Sequence, residues 1–281
     1  MSIMSPQAAA PSREFRFTDR DFTILVQLVR ERSGIVLGRN KKELVYSRLA
    51  RRLRALGMPS FAAYRDFLTG PDGQGEITDF VNAITTNLTK FFRESHHFDH
   101  LQQCVSQHRG RWEDYRIWSA GCSTGEEPYT IAMVLDDASG GRARGRARIL
   151  ATDLDTKVLA KASEGVYRAA SAKDVPVRYR RAYLEAQGRE AVSVSPRLRQ
   201  MISFKRLNLL EGWPLKRAYD AIFCRNVLIY FSAEDKQALV SRYVAQLRPG
   251  GYLYLGHSES QLGNLSGLSS VGRTIYRKDA T

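Results

Sequence analysis

Along the first 86 residues the apolar positions recur every three or four residues, the period of helices with one buried face. Thr18 followed by Asp21 forms an acidic variant of the capping box. Phe22, Leu25, Val26 and Val29 then share one face, and Gly34 ends the run. A second helix is predicted over residues 41–56, with Leu44, Val45, Leu49, Leu53 and Leu56 inward and Gly57 as its stop. A short third helix carries Phe61, Tyr64, Phe67 and Leu68. After the breaker Gly70-Pro71-Asp72-Gly73, a fourth holds Ile77, Phe80, Val81 and Ile84 and ends near Asn87. These lengths predict a small all-α domain over residues 15–86, behind a disordered leader at 1–14.

From residue 115 the period changes. Short apolar runs at 116–120, 148–152, 219–224 and 252–256 read as strands, and periodic stretches at 126–137, 155–164 and 233–247 read as helices. Strands alternating with helices predict an α/β fold with a parallel sheet covered on both faces and a ligand outside the carboxyl ends of its strands. Residues 87–114 are expected to be a linker and connecting helix, and the α/β domain to run from 115 to 281. Within it a small β-subdomain is expected at about 165–206, where 191–194 and 201–204 would form an antiparallel insertion. The Gly/Arg run at 140–146 reads as a surface loop.

Composition narrows the class. With 281 residues, 43% hydrophobic and 26% charged, the chain can bury a proper core, and fibrous or wholly disordered classes are excluded. No stretch approaches the roughly 18 apolar residues of a membrane helix, and no secretory leader opens the chain, so a cytoplasmic location is expected. Cys104, Cys122 and Cys224 are odd in number and share no ligand spacing, which argues against disulfides and structural zinc. His96, His97 and His100 fall within one helical turn, but no carboxylate or thiol completes a set, and no metal is expected.

The net charge of +14 is unevenly placed. Residues 13–75 hold 13 basic and seven acidic side chains, residues 157–206 hold 12 and four, and the remainder balances. Such asymmetry implies an acidic partner, whether nucleic acid, a membrane surface or an acidic protein face.

Three segments could carry chemistry. Trp118-Ser119-Ala120-Gly121-Cys122-Ser123-Thr124-Gly125-Glu126-Glu127-Pro128 lies between a strand and a helix, where glycines permit a tight turn and close approach of backbone to a nucleotide-like ligand. It has neither GxGxxG spacing nor a P-loop lysine, and an ordinary turn would read the same way. Asp153, ending the next strand, could accept both hydroxyls of a ribose. Thr85-Thr86-Asn87-Leu88-Thr89-Lys90-Phe91-Phe92-Arg93-Glu94 is too rich in amide, hydroxyl, guanidinium and aromatic groups for a plain linker, although a capped helix start would also account for it. Arg225-Asn226 follows an apolar strand, which puts polar groups at the sheet's carboxyl edge, with Tyr230 one turn on. Cys224 reads as a buried small hydrophobe rather than a nucleophile.

Together with Ala-Thr-Asp-Leu-Asp ending at Asp155, Asn208-Leu209-Leu210 and Gly256-His257-Ser258-Glu259, these segments resemble the CheR-type chemotaxis receptor methyltransferases over about residues 15–278. The resemblance implies a four-helix domain before a Rossmann-like methyltransferase domain with an inserted β-subdomain. It also implies methyl transfer from S-adenosylmethionine to glutamate side chains on the cytoplasmic helices of chemoreceptors. Carried over by position, Asn87, Thr89, Arg93, Gly121, Glu127, Asp153, Asn208, Leu209, Arg225 and Asn226 would contact the cofactor. Arg93 and Tyr230 would lie nearest the transferring methyl. Lys41, Arg48 and Arg52, one stripe on the second helix, would dock the acidic receptor helix. Members that tether to a receptor-tail peptide carry a Gly/Pro-containing turn in the β-subdomain. Here residues 185–190 are shorter and lack proline, which argues against tethering. Two rivals stand beside this reading: a nucleic-acid methyltransferase, suggested by the charge, and a catalytically silent adaptor.

Overall fold

The computed structural model describes residues 13–259 and 265–279, so most of the expected leader, at 1–12, lies outside the described residues. Arg13 and Glu14, expected to belong to that leader, are ion-paired to Glu43 and Arg54. The chain divides into two compact units, one of residues up to 32 with 36–84, the other of 33–35 with residues from 85 onward.

The first unit is helical: α1 (Asp19–Ser33), α2 (Lys42–Leu56), α3 (Phe61–Thr69) and α4 (Ile77–Ile84). The expected caps form. Thr18 and Asp21 exchange backbone and side-chain hydrogen bonds. Gly57 adopts φ +64, and its N–H and that of Met58 satisfy the last carbonyls of α2. Leu25, Leu49, Leu53, Phe61, Tyr64, Leu68 and Phe80 are wholly buried, each contributing about 1.5–3 kcal/mol of burial. Leu56, placed inward by the period, lies in the last turn and is 38% exposed.

The second unit contains α5 (His96–Gln107), β1 (Arg116–Ala120), α6 (Glu126–Ala138), β2 (Arg148–Asp153), α7 (Thr156–Glu164), β3 (Val166–Arg168), α8 (Val177–Tyr183), β4 (Leu184–Gln187), β5 (Ala191–Val194), α9 (Pro196–Arg199), β6 (Ile202–Arg206), β7 (Tyr219–Cys224), α10 (Ala233–Gln246), β8 (Leu247–Leu255), β9 (Leu268–Gly272) and β10 (Ile275–Lys278). The main sheet runs β6-β2-β1-β7-β8-β10-β9, parallel from β6 through β8 and antiparallel thereafter. The chain moves outward from β1 to β2 and β6, then returns to β7 on the other side of β1. The topological switch therefore lies between β1 and β7, where an open α/β sheet leaves a crevice at its carboxyl edge.

Three features depart from the expected layout. Residues 201–204 do not pair with 191–194. Of them 202–204 begin β6, the parallel edge of the main sheet, while β5 pairs with β3 and β4 in a separate three-stranded antiparallel sheet. Residues 85–114 belong to the compact second unit, with Phe91, Phe98, Leu101 and Val105 in its core. The closing hairpin, β9 and β10, carries no strand signal because β9 is a short run of Leu268, two serines, an exposed Val271 and a glycine, with only Leu268 buried.

Candidate active site

Five strand ends and one crossing segment meet at the carboxyl edge. After β1 the chain turns at Gly121 (φ +88), where a Cβ would collide with Val227. The N–H groups of Gly121 and Cys122 bond Thr152 O at 2.8 and 2.9 Å, and the Ser123 N–H bonds Asp153 Oδ2 at 2.8 Å. This loop has already committed its donors. It is therefore no cradle for a diphosphate, and the glycines serve close approach rather than anion binding. Gly125 (φ +97) caps α6, and a Cβ there would lie 2.7 Å from the Tyr167 hydroxyl. That position is closed to other residues on both counts.

Glu127, in the first turn of α6, accepts Ser119 Oγ at 2.7 Å from β1 and Arg225 Nη1 at 2.9 Å from beyond β7, bridging the switch point. Burial pushes its carboxyl upward, and the Arg225 charge opposes that shift. Arg225 is 6% exposed. Its Nη2 donates to the Arg93 carbonyl and lies 3.5 Å from Glu94 Oε2. Asp153, at the end of β2, is half-buried, and its carboxyl is also pushed up by burial against the pull of backbone N–H donors. Such a group suits a ligand hydroxyl.

Segment 85–94 is pinned by Asp155. One carboxylate oxygen caps α7 through Lys157 N at 2.8 Å, and the other accepts Asn87 Nδ2 at 2.8 Å and Thr85 Oγ1 at 2.9 Å. Ser123 Oγ donates to the Asn87 carbonyl at 2.8 Å. Thr89 is half-buried, and Arg93 Nη1 donates to the Leu88 carbonyl at 2.9 Å. Tyr230 reaches the same segment, its hydroxyl 3.4 Å from the Thr86 carbonyl. Beyond β6, Asn208 caps its own turn through Leu210 N at 3.1 Å, and buried Leu209 accepts Trp213 Nε1 and Arg242 through its carbonyl.

The edge thus brings together Asn87, Thr89, Arg93, Gly121, Glu127, Asp153, Asn208, Leu209, Arg225, Asn226 and Tyr230, all in the second unit. Two groups there work differently from a direct ligand contact. The Asn87 amide and the Arg225 guanidinium are spent on Asp155 and Glu127, so they position the segment. Lys41, Arg48 and Arg52 belong to the first unit, and the expected docking stripe is largely withdrawn into it. Arg48 donates to the Ile84 carbonyl, and Arg52 pairs with Glu76 and Asp79. Both are half-buried, leaving Lys41 exposed.

Glu259, which by sequence merely ends the Gly256-His257-Ser258-Glu259 turn, anchors the turn after β7. Buried at 3% exposure, it accepts the N–H groups of Asn226, Val227, Leu228 and Gly256 at 2.5–3.0 Å. It holds Asn226 at φ +59 against Gly256, where a Cβ would meet Asn226 Nδ2 at 2.5 Å. An acidic residue three positions after a strand-end glycine was the available signal. His96, His97 and His100 bond the Arg273 carbonyl, the Thr274 hydroxyl and the Tyr254 hydroxyl, so each ring is committed separately. Burial pushes the Cys122 and Cys224 thiols well above their ordinary range, which leaves them protonated.

The donor set fits S-adenosylmethionine: a carboxylate at the end of β2 and another in the first turn of α6, no phosphate cradle, and buried polar atoms of Glu94 and Arg225 that lack hydrogen-bond partners. Comparison with known proteins agrees. Residues 20–85 match the CheR methyltransferase all-alpha domain, and residues 87–276 match the CheR methyltransferase SAM binding domain. The chain is 41% identical over 269 residues to a chemotaxis protein methyltransferase of Salmonella typhimurium, covering 94% of this chain and 92% of that one. It is 42% identical to a chemotaxis protein methyltransferase of Escherichia coli, covering 92% and 91%. It is 43% identical to chemotaxis protein methyltransferase 2 of Pseudomonas aeruginosa, covering 98% and 99%. With both domains matched and relatives of similar length throughout, this chain belongs to the CheR methyltransferase family.

Proposed function

We propose that this chain methylates the side-chain carboxylates of glutamates on chemoreceptor helices, using S-adenosylmethionine and leaving glutamate methyl esters. The observation that carries the reading is the pair of family matches, which together span the helical unit and the whole carboxyl edge. When bound, S-adenosylmethionine supplies an electrophilic methyl group on a positively charged sulfur. Asp153 and Glu127 would hold its polar groups, with Asn87, Thr89, Gly121, Asn208, Leu209 and Asn226 lining the place where it rests.

A glutamate side chain has an ordinary pKa of about 4.3, so at neutral pH the nucleophile is already an anion and needs no general base. What remains for the protein is alignment and removal of water around that anion. Arg93, on the segment that crosses the edge, is the group to orient the incoming carboxylate. Tyr230, tied to the same segment, assists. Arg225 acts through Arg93 by holding its carbonyl, as a positioning residue.

The receptor docks through positive charge on the helical unit, with Lys41 the one member of the predicted stripe left free for this role. The short hairpin between β4 and β5, turning at Gly188, supports no tail-peptide tether. No described helix is long and apolar enough to cross a membrane. Methylation of nucleic acid, which the charge excess left open, finds no support among the relatives. Incubation with methyl-labelled S-adenosylmethionine and receptor-containing membranes tests the reading. Base-labile label on receptor protein is expected, whereas base-stable label, or label on nucleic acid, would overturn it.

A further inference from the structure

Beside Arg93, on the side of Asn226, lies a cleft of about 610 Å³ whose walls come from segment 85–94, the turns after β7 and β8, and the β9–β10 turn. Three cations line it: Lys90, Arg93 and Arg273. Lys90 and Arg273 are exposed, and among the described residues neither they nor Arg93 has a carboxylate within ion-pair distance. The one acidic side chain of the lining, Glu94, is turned toward buried Arg225 at 3.5 Å, so it leaves the cleft's charge uncompensated. Arg273 is also fixed rather than loose. Its carbonyl accepts His96 Nε2 at 3.0 Å, and its guanidinium lies 3.0 Å from the ring nitrogens of His257. The backbone around the cleft is held in the left-handed region at Phe92, Glu94, Asn226 and Thr274, strain that a merely solvated surface would not need.

A cleft of this size exceeds what one carboxylate fills, and its positive charge repels a sulfonium while attracting anions. On a helix, side chains three and four positions apart stand on one face, so a receptor helix presenting one glutamate presents its neighbours as well. We propose that Lys90 and Arg273 form a substrate-reading subsite that takes acidic side chains flanking the methylated glutamate on the receptor helix. This makes them specificity-determining residues distinct from those that hold the methyl donor. The proposal rests on the reading that receptor glutamates are the substrate.

Charge reversal tests it, with Lys90→Glu, Arg273→Glu and the pair compared with wild type on a receptor cytoplasmic fragment, and Lys161→Glu on α7 as a control that matches the charge change of each single variant. The double variant should raise KM for the fragment by about tenfold or more and flatten the fall of kcat/KM with salt, with kcat within about twofold. Affinity for S-adenosylhomocysteine, measured by calorimetry, should not change, and the control should behave as wild type. Lys90→Gln and Arg273→Gln give the same ordering with smaller effects should a reversal impair folding. Unchanged KM and salt slope would overturn the proposal, as would a parallel loss of S-adenosylhomocysteine affinity, which would assign the cations to the donor site. If wild type binds S-adenosylhomocysteine yet leaves no base-labile methyl on the fragment, the reading of the substrate fails and this proposal falls with it.

Discussion

Each of the two units sets an arginine among carboxylates, half-buried in the first and buried in the second, and they do so in opposite styles. In the helical unit, Arg52 bonds Glu76 in bidentate fashion and reaches Asp79 at 3.3 Å, while the Tyr64 hydroxyl donates to Glu76 at 2.9 Å. The network is closed. In the α/β unit, Arg225 stands between Glu127 and Glu94, but its Nε, Glu94 Oε2 and His97 Nδ1 are buried without hydrogen-bond partners. Every described non-glycine residue at positive φ also lies in this unit: Phe92, Glu94, Ser123, Asn226 and Thr274. A satisfied network on relaxed backbone stabilises a fold. An unsatisfied one on strained backbone is the mark of a place shaped for something else.

That contrast can be broken by paired substitutions. Arg225→Ala should cost about 3–5 kcal/mol, because it strands buried Glu127 without its cation, and should abolish cofactor binding. Arg52→Ala should cost about 2–3 kcal/mol for the same reason in a more exposed site, yet leave S-adenosylhomocysteine affinity at the wild-type value. Denaturant melts and calorimetry on both variants decide it, and equal losses of cofactor affinity would erase the distinction between the units.

Glu259→Gln sharpens the comparison within the α/β unit. Replacing a carboxylate that accepts four N–H groups should cost about 2 kcal/mol and loosen Asn226, so that both the melting temperature and turnover fall. Arg93→Ala should leave the denaturant midpoint unmoved and lower turnover by more than about tenfold, a loss of at least about 1.4 kcal/mol in the barrier. Tyr230→Phe should act in the same direction more weakly. Wild-type turnover in an Arg93→Ala enzyme that still binds the cofactor would remove Arg93 from the mechanism.

A different kind of effect is in the pH dependence of stability. Burial, with the nearby Arg225 charge adding, holds the His97 ring at a pKa of about 2, against 6.5 for an ordinary histidine. The folded state therefore refuses a proton that the unfolded chain accepts below pH 6.5. Stability from this group is fully present above 6.5 and is lost as pH falls toward about 2. Melting temperatures of His97→Gln should decline less steeply than wild type between pH 6.5 and about 4. Parallel curves would mean that protonation of His97 is not what the fold resists.

Much of the local structure could be read from residue order, since it depends on groups a few positions apart. Thr18 and Asp21, Gly57, and the strand, loop and helix from 116 to 138 follow from spacing and caps. The destination of a short strand does not. Residues 201–204 carry the same alternation whether they extend the main sheet or the small one, and only the space left beside β2 assigns them. The stripe of Lys41, Arg48 and Arg52 follows correctly from a helical period, but nothing in that period says that Glu76, 24 residues beyond Arg52, returns to neutralise it.

The amino-acid order by itself determined most of the elements, their caps and the two-part grammar, because propensity and periodicity act over one or two turns, while the residues of the sheet's carboxyl edge were named by the family resemblance that their segments carry. The tertiary structure alone decided what those residues do. Arg225 meets Glu127 across 98 positions and Asn87 meets the Asp155 carboxylate across 68. Whether a polar side chain is spent on its neighbours or left facing a cleft depends on such long-range encounters, and on the burial that makes an unpaired charge costly.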